Sequence, residues 1–200
     1  MTLNWSAIHG RLKNRIEASG VCVRSQKLGP QTTGVFDGTS ITTNSECDLE
    51  TQSHNMGHAF GHIVQWSLEG PRFEALYEAL YAAKDHKHEN PAALERALAA
   101  FRLYEEEASE YAACVFIETG NEAALASFTP FARADIEAIV SYHCDGVAPI
   151  WSEFFADWKA RAARGEFEVR AFVARPIPAF TPRHIAPQEV IRAVREKSAA

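Results

Sequence analysis

Three histidines recur at four-residue intervals in the segment 51–66, Thr-Gln-Ser-His-Asn-Met-Gly-His-Ala-Phe-Gly-His-Ile-Val-Gln-Trp. In an α-helix a step of four residues drifts by only about 40°, so His54, His58 and His62 share one stripe. Met56, Phe60, Ile63 and Val64 fall on the opposite stripe. The segment is therefore a helix with an apolar face for a core and a histidine face turned to something else. Gly57 and Gly61 lie beside the histidines. Each costs about 1 kcal/mol in a helix interior relative to alanine. That cost is tolerated where another backbone or a ligand must come close.

The rest of the chain supplies further helices around this one. Trp5, Ile8, Leu12 and Ile16 keep helical spacing over 4–18, with Gly20 as a stop. The stretch 21–44 is rich in threonine and turn residues and reads as short strands. Within it, 34–43 forms a hairpin turning at Asp37-Gly38. Ser45 or Asp48 caps the histidine helix, which ends at Gly70-Pro71. Pro71 opens the next helix, to about Lys84. Asn90-Pro91 opens a long one toward Glu118, Thr129-Pro130 one to about Tyr142, and Pro149 one ending near Gly165. The prolines of 170–183 predict irregular packing, and 187–198 a short final helix. The expected fold class is α+β: a mostly helical single domain of 200 residues with a small twisted sheet beside the histidine helix. Within it, 1–120 forms the core unit and 121–200 a helical C-terminal lobe.

Composition narrows the function classes. Lys and Arg number 20 against 26 Asp and Glu, a net charge of −6. This offers no overall positive field for nucleic acid, and no basic recognition helix is evident. No apolar run is long enough to span a bilayer, and the N-terminus lacks the pattern of a signal peptide. The four cysteines, Cys22, Cys47, Cys114 and Cys144, are widely spaced and read as reduced thiols of a cytoplasmic protein. The expected partner class is a protein or peptide, or a second copy of the chain, with no nucleic acid and no membrane.

Two histidines one helical turn apart can grip one metal ion from the same side, and a third ligand must come from elsewhere. The segment 103–116, Leu-Tyr-Glu-Glu-Glu-Ala-Ser-Glu-Tyr-Ala-Ala-Cys-Val-Phe, places carboxylates in an otherwise small or apolar helix. Glu107, Tyr111 and Cys114 share a face with Tyr104. Ala108, Ala112 and Ala113 allow a second helix to approach closely. A glutamate there would complete a His₂Glu set with a fourth position open to water.

The stretch from Val21 to Phe116 resembles the ImmA/IrrE family of zincin metallopeptidases, about half of the chain. Thr51, His54, Gly57, His58 and His62 align with a helix of the form T-L-A-H-E-L-G-H-x-L-L-H. Residues 107–113, Glu-Ala-Ser-Glu-Tyr-Ala-Ala, align with E-A-N-x-F-A-A. The resemblance implies a zincin-like fold with His54, His58 and Glu107 as ligands of Zn²⁺ or another divalent transition metal. His62 is the alternative ligand. The family's general-base glutamate is replaced by Asn55, and an amide cannot accept a proton from an attacking water at neutral pH. A second register, His58-Ala59-Phe60-Gly61-His62, puts Ala59 in the base position. Glu50, Glu106 and Glu110 are substitutes by proximity in sequence, and Tyr111 and His143 are further candidates near the chemistry. Loss of a positioned base removes about 10²–10⁴ in rate. The resemblance thus implies a zinc-binding, metallopeptidase-like protein with altered or lost peptidase activity. The alternative is a non-enzymatic metal-binding or interaction module on the same scaffold. His86 and His88 lie in a charged loop and read as solvated.

Overall fold

The computed structural model describes residues 2–29 and 32–185, together with 192, 193 and 196. The final helix expected over 187–198 falls mostly outside them. The described chain is mostly helical, with one small sheet.

Helix α1, Trp5–Glu17, starts where Asn4 Oδ1 accepts the Ala7 N–H at 3.1 Å, and it buries Ile8, Leu12 and Ile16. Strands β1 (Cys22–Gln26), β2 (Gly34–Phe36) and β3 (Ser40–Asn44) follow. Strand β3 is central, parallel to β1 with Val23 opposite Ile41, and antiparallel to β2 with Val35 opposite Thr42. The β2–β3 turn is closed by the Asp37 carboxylate, which accepts from the backbone and hydroxyl groups of both Thr39 and Ser40. Gly38 supplies the positive φ of 82° that the turn requires.

Helix α2 runs from Leu49 to Asp85, capped by Asp48 Oδ1 on the Thr51 N–H at 2.7 Å. The two helices expected on either side of Gly70-Pro71 meet in it at Glu69, whose φ/ψ of −137°/39° leaves the helical region. Pro71 stands in the first turn after this break, where its missing N–H costs no hydrogen bond. Helix α3, Pro91–Glu118, has Asn90 as its cap and doubles back along α2.

Helix α4, Leu125–Asp145, begins upstream of the expected Thr129-Pro130 start, and Pro130 lies inside it. A single 3₁₀ turn, Glu122–Ala124, leads the chain into the helix before the proline is reached. Helix α5, Trp151–Ala163, follows. The segment 167–185 has no regular structure, in line with its prolines. The four cysteines are unpaired. Among the described residues no helix is long and apolar enough to cross a membrane.

The interior divides into two apolar clusters. One joins α1, the sheet, the first half of α2, the end of α3 and the start of α4, with Leu12, Ile41, Phe60, Phe116 and Phe128 among its members. The other joins the second half of α2 to the start of α3 and the end of α4, through Trp66, Phe73, Leu80, Phe101 and Ile136. Phe36 and Phe172 pack against both.

The glycines of α2 explain how its histidine face is covered. A Cβ on Gly61 would overlap the Ala108 backbone, and one on Gly57 would sit 3.2 Å from the Phe116 ring and 3.6 Å from Ala112 Cβ. Gly61 thus admits the backbone of α3, and Gly57 admits its Phe116 and Ala112 side chains.

Candidate metal centre

His58 and His62 reach from α2 and Glu105 from α3 into the seam between the helices. Their Nε2 and Oε2 atoms form a closed triangle: His58 to Glu105, His62 to Glu105 and His58 to His62 are each 3.1 Å. Exposures of 7%, 5% and 3% for His58, His62 and Glu105 place the group inside the fold. Phe36 stacks on the His62 ring with centroids 5.3 Å apart, and Tyr104 packs on it at 4.7 Å.

The outer nitrogens fix the tautomers. The Ser109 hydroxyl donates to the Glu105 carbonyl at 3.0 Å, which leaves its oxygen to accept from His58 Nδ1 at 3.1 Å. The Gln65 amide nitrogen donates to the Tyr104 carbonyl and to Glu107, both at 2.8 Å. Its oxygen is then the acceptor for His62 Nδ1, 2.9 Å away. Both imidazoles therefore carry a proton on Nδ1 and aim Nε2 at Glu105, the arrangement in which a metal-binding histidine is oriented by its second nitrogen.

Two lone pairs and a carboxylate oxygen at such separations require positive charge between them, from protons or from a cation. Burial opposes charge on His58, but the hydrogen bond and charge of Glu105 outweigh it and raise the imidazole pKa. Burial likewise pushes the Glu105 carboxyl up, and the opposing charge of His62 with the hydrogen bonds from both histidines brings it down to about 2. The carboxylate is thus held ionised. A tetrahedral zinc site with bonds of about 2.0–2.1 Å spaces its ligand atoms about 3.3 Å apart, close to the triangle seen here. Among the described residues, these three are the group of His, Cys, Asp and Glu side chains able to converge on one ion.

The remaining residues singled out in the sequence lie apart from this triangle. His54 is buried in an aromatic cage, its ring 5.2 Å from Trp5, 5.7 Å from Phe128 and 4.9 Å from Phe131. Its Nε2 is 2.9 Å from the Ser127 hydroxyl, which donates to Glu50 at 2.6 Å. Burial drives its pKa down to about 3, so it stays neutral. Glu107 turns away to Gln65, Arg175 and Arg72. Asn55 accepts from the Thr33 hydroxyl and donates to the Thr51 carbonyl, each at 3.0 Å. Glu106 pairs with Arg133, and Glu110 with Arg175. Tyr111 lies under the Arg175 guanidinium. His143 is buried against Phe101, with centroids 4.8 Å apart. His86 is exposed and pairs with Glu89.

Sequence reasoning passed over Glu105 and its support from Ser109 and Gln65. A signal existed. Glu105, Ala108, Ser109 and Ala112 follow helical spacing, so the small residues that admit α2 mark the face from which a carboxylate reaches the histidines. Glu107 is rotated about 200° from Glu105. A cavity of about 560 Å³ opens beside α4 and α5, lined by residues such as Phe154, Trp158 and Arg161; none of the three converging side chains lines it. Comparison with family models, curated proteins and solved structures returns no match.

Proposed function

We propose that this chain is a metal-binding protein on a zincin-like scaffold, holding one divalent transition-metal ion through His58, His62 and Glu105, with peptidase activity altered or lost. The observation that carries this reading is the buried 3.1 Å triangle of ligand atoms, with both imidazole tautomers set by Ser109 and Gln65. A zinc ion in such a set would polarise a carbonyl and acidify a water. A His₂Glu set suits zinc, iron, nickel and other divalent ions alike.

The residues around the triangle favour a structural or sensing use of the ion over peptide cleavage. The position after His58 is Ala59, which has no proton-accepting group. Asn55, the position after His54, is occupied with Thr33 and Thr51. Each ligand is nearly covered, which leaves little room for a bulky peptide.

The test is metal content by mass spectrometry on protein purified without a histidine tag, before and after loading with Zn²⁺ or Co²⁺. Near-stoichiometric metal is expected in the wild type and in His54→Ala, and none in His58→Ala/His62→Ala. A wild type that takes up no ion after loading overturns the reading. Loss of metal in His54→Ala, with His62→Ala unaffected, would move the site to the register expected from the motif.

A further inference from the structure

The irregular segment 167–185 lies across the helices and is pinned to α3 by one residue. The Arg175 N–H donates to the Glu110 carbonyl at 3.1 Å, which bonds the backbone of the segment to the helix. The Arg175 side chain donates to the Glu110 carboxylate at 3.0 Å and to Glu107, and its guanidinium lies 5.5 Å from the Tyr111 ring centroid. Other contacts hold the segment on either side: Phe172 against Phe128, Phe180 against Phe60, and the Ile185 N–H on the Asp37 carbonyl at 2.7 Å.

The same arginine is joined to the metal centre by an unbroken chain of contacts. Glu107 is 9% exposed, and the oxygen not held by Arg175 accepts from the Gln65 amide nitrogen at 2.8 Å. Gln65 is 2% exposed and its amide is fully used, donating to Tyr104 and Glu107 and accepting from His62 Nδ1 at 2.9 Å. Turning the amide over would set its oxygen against the Tyr104 carbonyl and the Glu107 carboxylate. Both are acceptors, so the amide is locked with its oxygen toward His62.

A carboxylate so nearly buried stays in place only while its charge is matched. Arg175 supplies the match at one oxygen. Arg72, 3.7 Å from the other, is more exposed and is also engaged with Glu69. Without Arg175, Glu107 is drawn out toward water, and Gln65 loses one of the two acceptors that lock it. An ion on His62 Nε2 polarises the ring and makes its Nδ1–H a stronger donor to Gln65, which tightens the chain from the other end.

We propose that Arg175 is a positioning residue of the centre, and that docking of the segment 167–185 and ion binding at the triangle strengthen one another through Glu107, Gln65 and His62. The proposal rests on the metal-binding reading above. Coupling of this kind is reciprocal. The segment holds His62 ready for the ion, and the bound ion holds the segment to α3, so occupancy of a buried centre is expressed at the surface of the protein.

The test pairs Co²⁺ affinity, measured by competition with a chromogenic chelator, with hydrogen exchange of the peptide around Arg175 in the full chain, with and without Co²⁺. Arg175→Ala is expected to weaken Co²⁺ binding about tenfold, the low end for groups behind a ligand, and to shift the visible bands of the bound ion. Glu107→Gln keeps an acceptor for Gln65 but leaves no charge to match, so in that background Arg175→Ala should cost less than about twofold. Glu110→Gln loosens the segment without touching Gln65 and should leave affinity unchanged. In the wild type, Co²⁺ is expected to slow exchange at Arg175 by the same factor of about ten, and this response should be lost in Glu107→Gln. That measurement needs no variant at Arg175 and so stands if Arg175→Ala fails to fold. Affinity within about twofold of the wild type in Arg175→Ala, or exchange at Arg175 indifferent to Co²⁺, would overturn the coupling while leaving the three-ligand centre standing. An equal loss from Arg175→Ala with and without Glu107→Gln would show that the segment acts as a cover, and would overturn the role given to Arg175. A wild type that binds no Co²⁺ would overturn both readings.

Discussion

His54 and His58 stand one turn apart on the same stripe of α2, and their surroundings give them opposite chemistry. His54 is ringed by Trp5, Phe128 and Phe131, with a serine hydroxyl at Nε2. Its pKa is lowered to about 3 because burial penalises the cation and little around it repays that cost. His58 is as deeply buried, but Glu105 lies 3.1 Å from its Nε2 and raises its pKa. Residue type and helical phase are the same at both positions. What differs is the element opposite: α1 and the start of α4 in one case, the carboxylate of α3 in the other. A histidine stripe therefore names a face, and the partner helix decides which members can hold a cation.

The largest test of this comparison is steric. Gly61 lets the α3 backbone approach beside the polar pair, whereas Gly57 faces a side chain, the Phe116 ring, 3.2 Å from where a Cβ would stand. Gly61→Ala has no room without separating the helices. It is expected to lower unfolding stability by about 3 kcal/mol or to prevent folding, since overpacking typically costs 1–3 kcal/mol and more where backbone must move. Gly57→Ala gains about 1 kcal/mol of helix propensity against a small shift of the Phe116 ring, and is expected to stay within about 1 kcal/mol of the wild type. Chemical denaturation of both variants checks this. Equal costs would mean that the polar end of the seam is no tighter than the aromatic end.

The second test compares the two glutamates. Glu105→Gln removes the charge at the centre and is expected to reduce Zn²⁺ or Co²⁺ affinity by more than about 100-fold, beyond the range for groups outside the ligand set. Glu107→Gln disturbs the bonds to Arg175 and Gln65 and acts on His62 only through the latter, so a loss of about threefold is expected. Competition with a chelator measures both. A larger loss for Glu107→Gln would restore the ligand assignment that the motif resemblance implies.

Protonation separates the two histidines next. The His54 pKa is lower in the folded chain than in the unfolded one, so the unfolded state takes up a proton first as pH falls. Stability owed to neutral His54 is intact above about pH 6.5 and is lost as pH falls from there toward 3, at about 1.4 kcal/mol per pH unit. In His54→Gln this slope should vanish between pH 6 and 5. In metal-free protein His58 has the opposite sign: its raised pKa contributes stability below about pH 6.5 that is lost as pH rises through the folded-state value. Denaturation midpoints of His54→Gln and His58→Gln against pH check the pair. A wild-type slope that persists in His54→Gln would place the acid sensitivity elsewhere.

Much of this was legible in the residues. The helix start at Asn90-Pro91, Asp48 as one of two candidate caps, the Asp37-Gly38 turn and the close helix approach implied by two glycines all act through near neighbours or side-chain size. The third member of the triangle was harder to read, because the Glu-Glu-Glu run offers carboxylates in several helical directions and a motif match favours the one next to alanine. The face shared with Ala108 and Ala112 selects Glu105 instead, but only once those alanines are known to meet α2 rather than another helix. The caging of His54 likewise depends on aromatic residues more than 40 positions away on one side and more than 70 on the other.

The smallest expected effect comes from the substitution that the motif would make most informative. Asn55→Glu recreates the glutamate that follows the first histidine in the resembled family. If His54 and His58 held the ion, the new carboxylate would stand beside it and could act as base, with a gain of up to about 10²–10⁴ in rate. In this structure Asn55 faces β2 and the loop before it, with its amide between the Thr33 hydroxyl and the Thr51 carbonyl. The register that holds His58 and His62 has Ala59 at the corresponding place. Asn55→Glu is therefore expected to bring no peptidase activity and to leave metal affinity within twofold of the wild type. It should cost only the two hydrogen bonds of the amide, about 1–2 kcal/mol of stability. Peptide hydrolysis appearing in Asn55→Glu and abolished by chelator would show that the first histidine joins the ion after all, and the division of α2 into a neutral cage and a polar pair would fail.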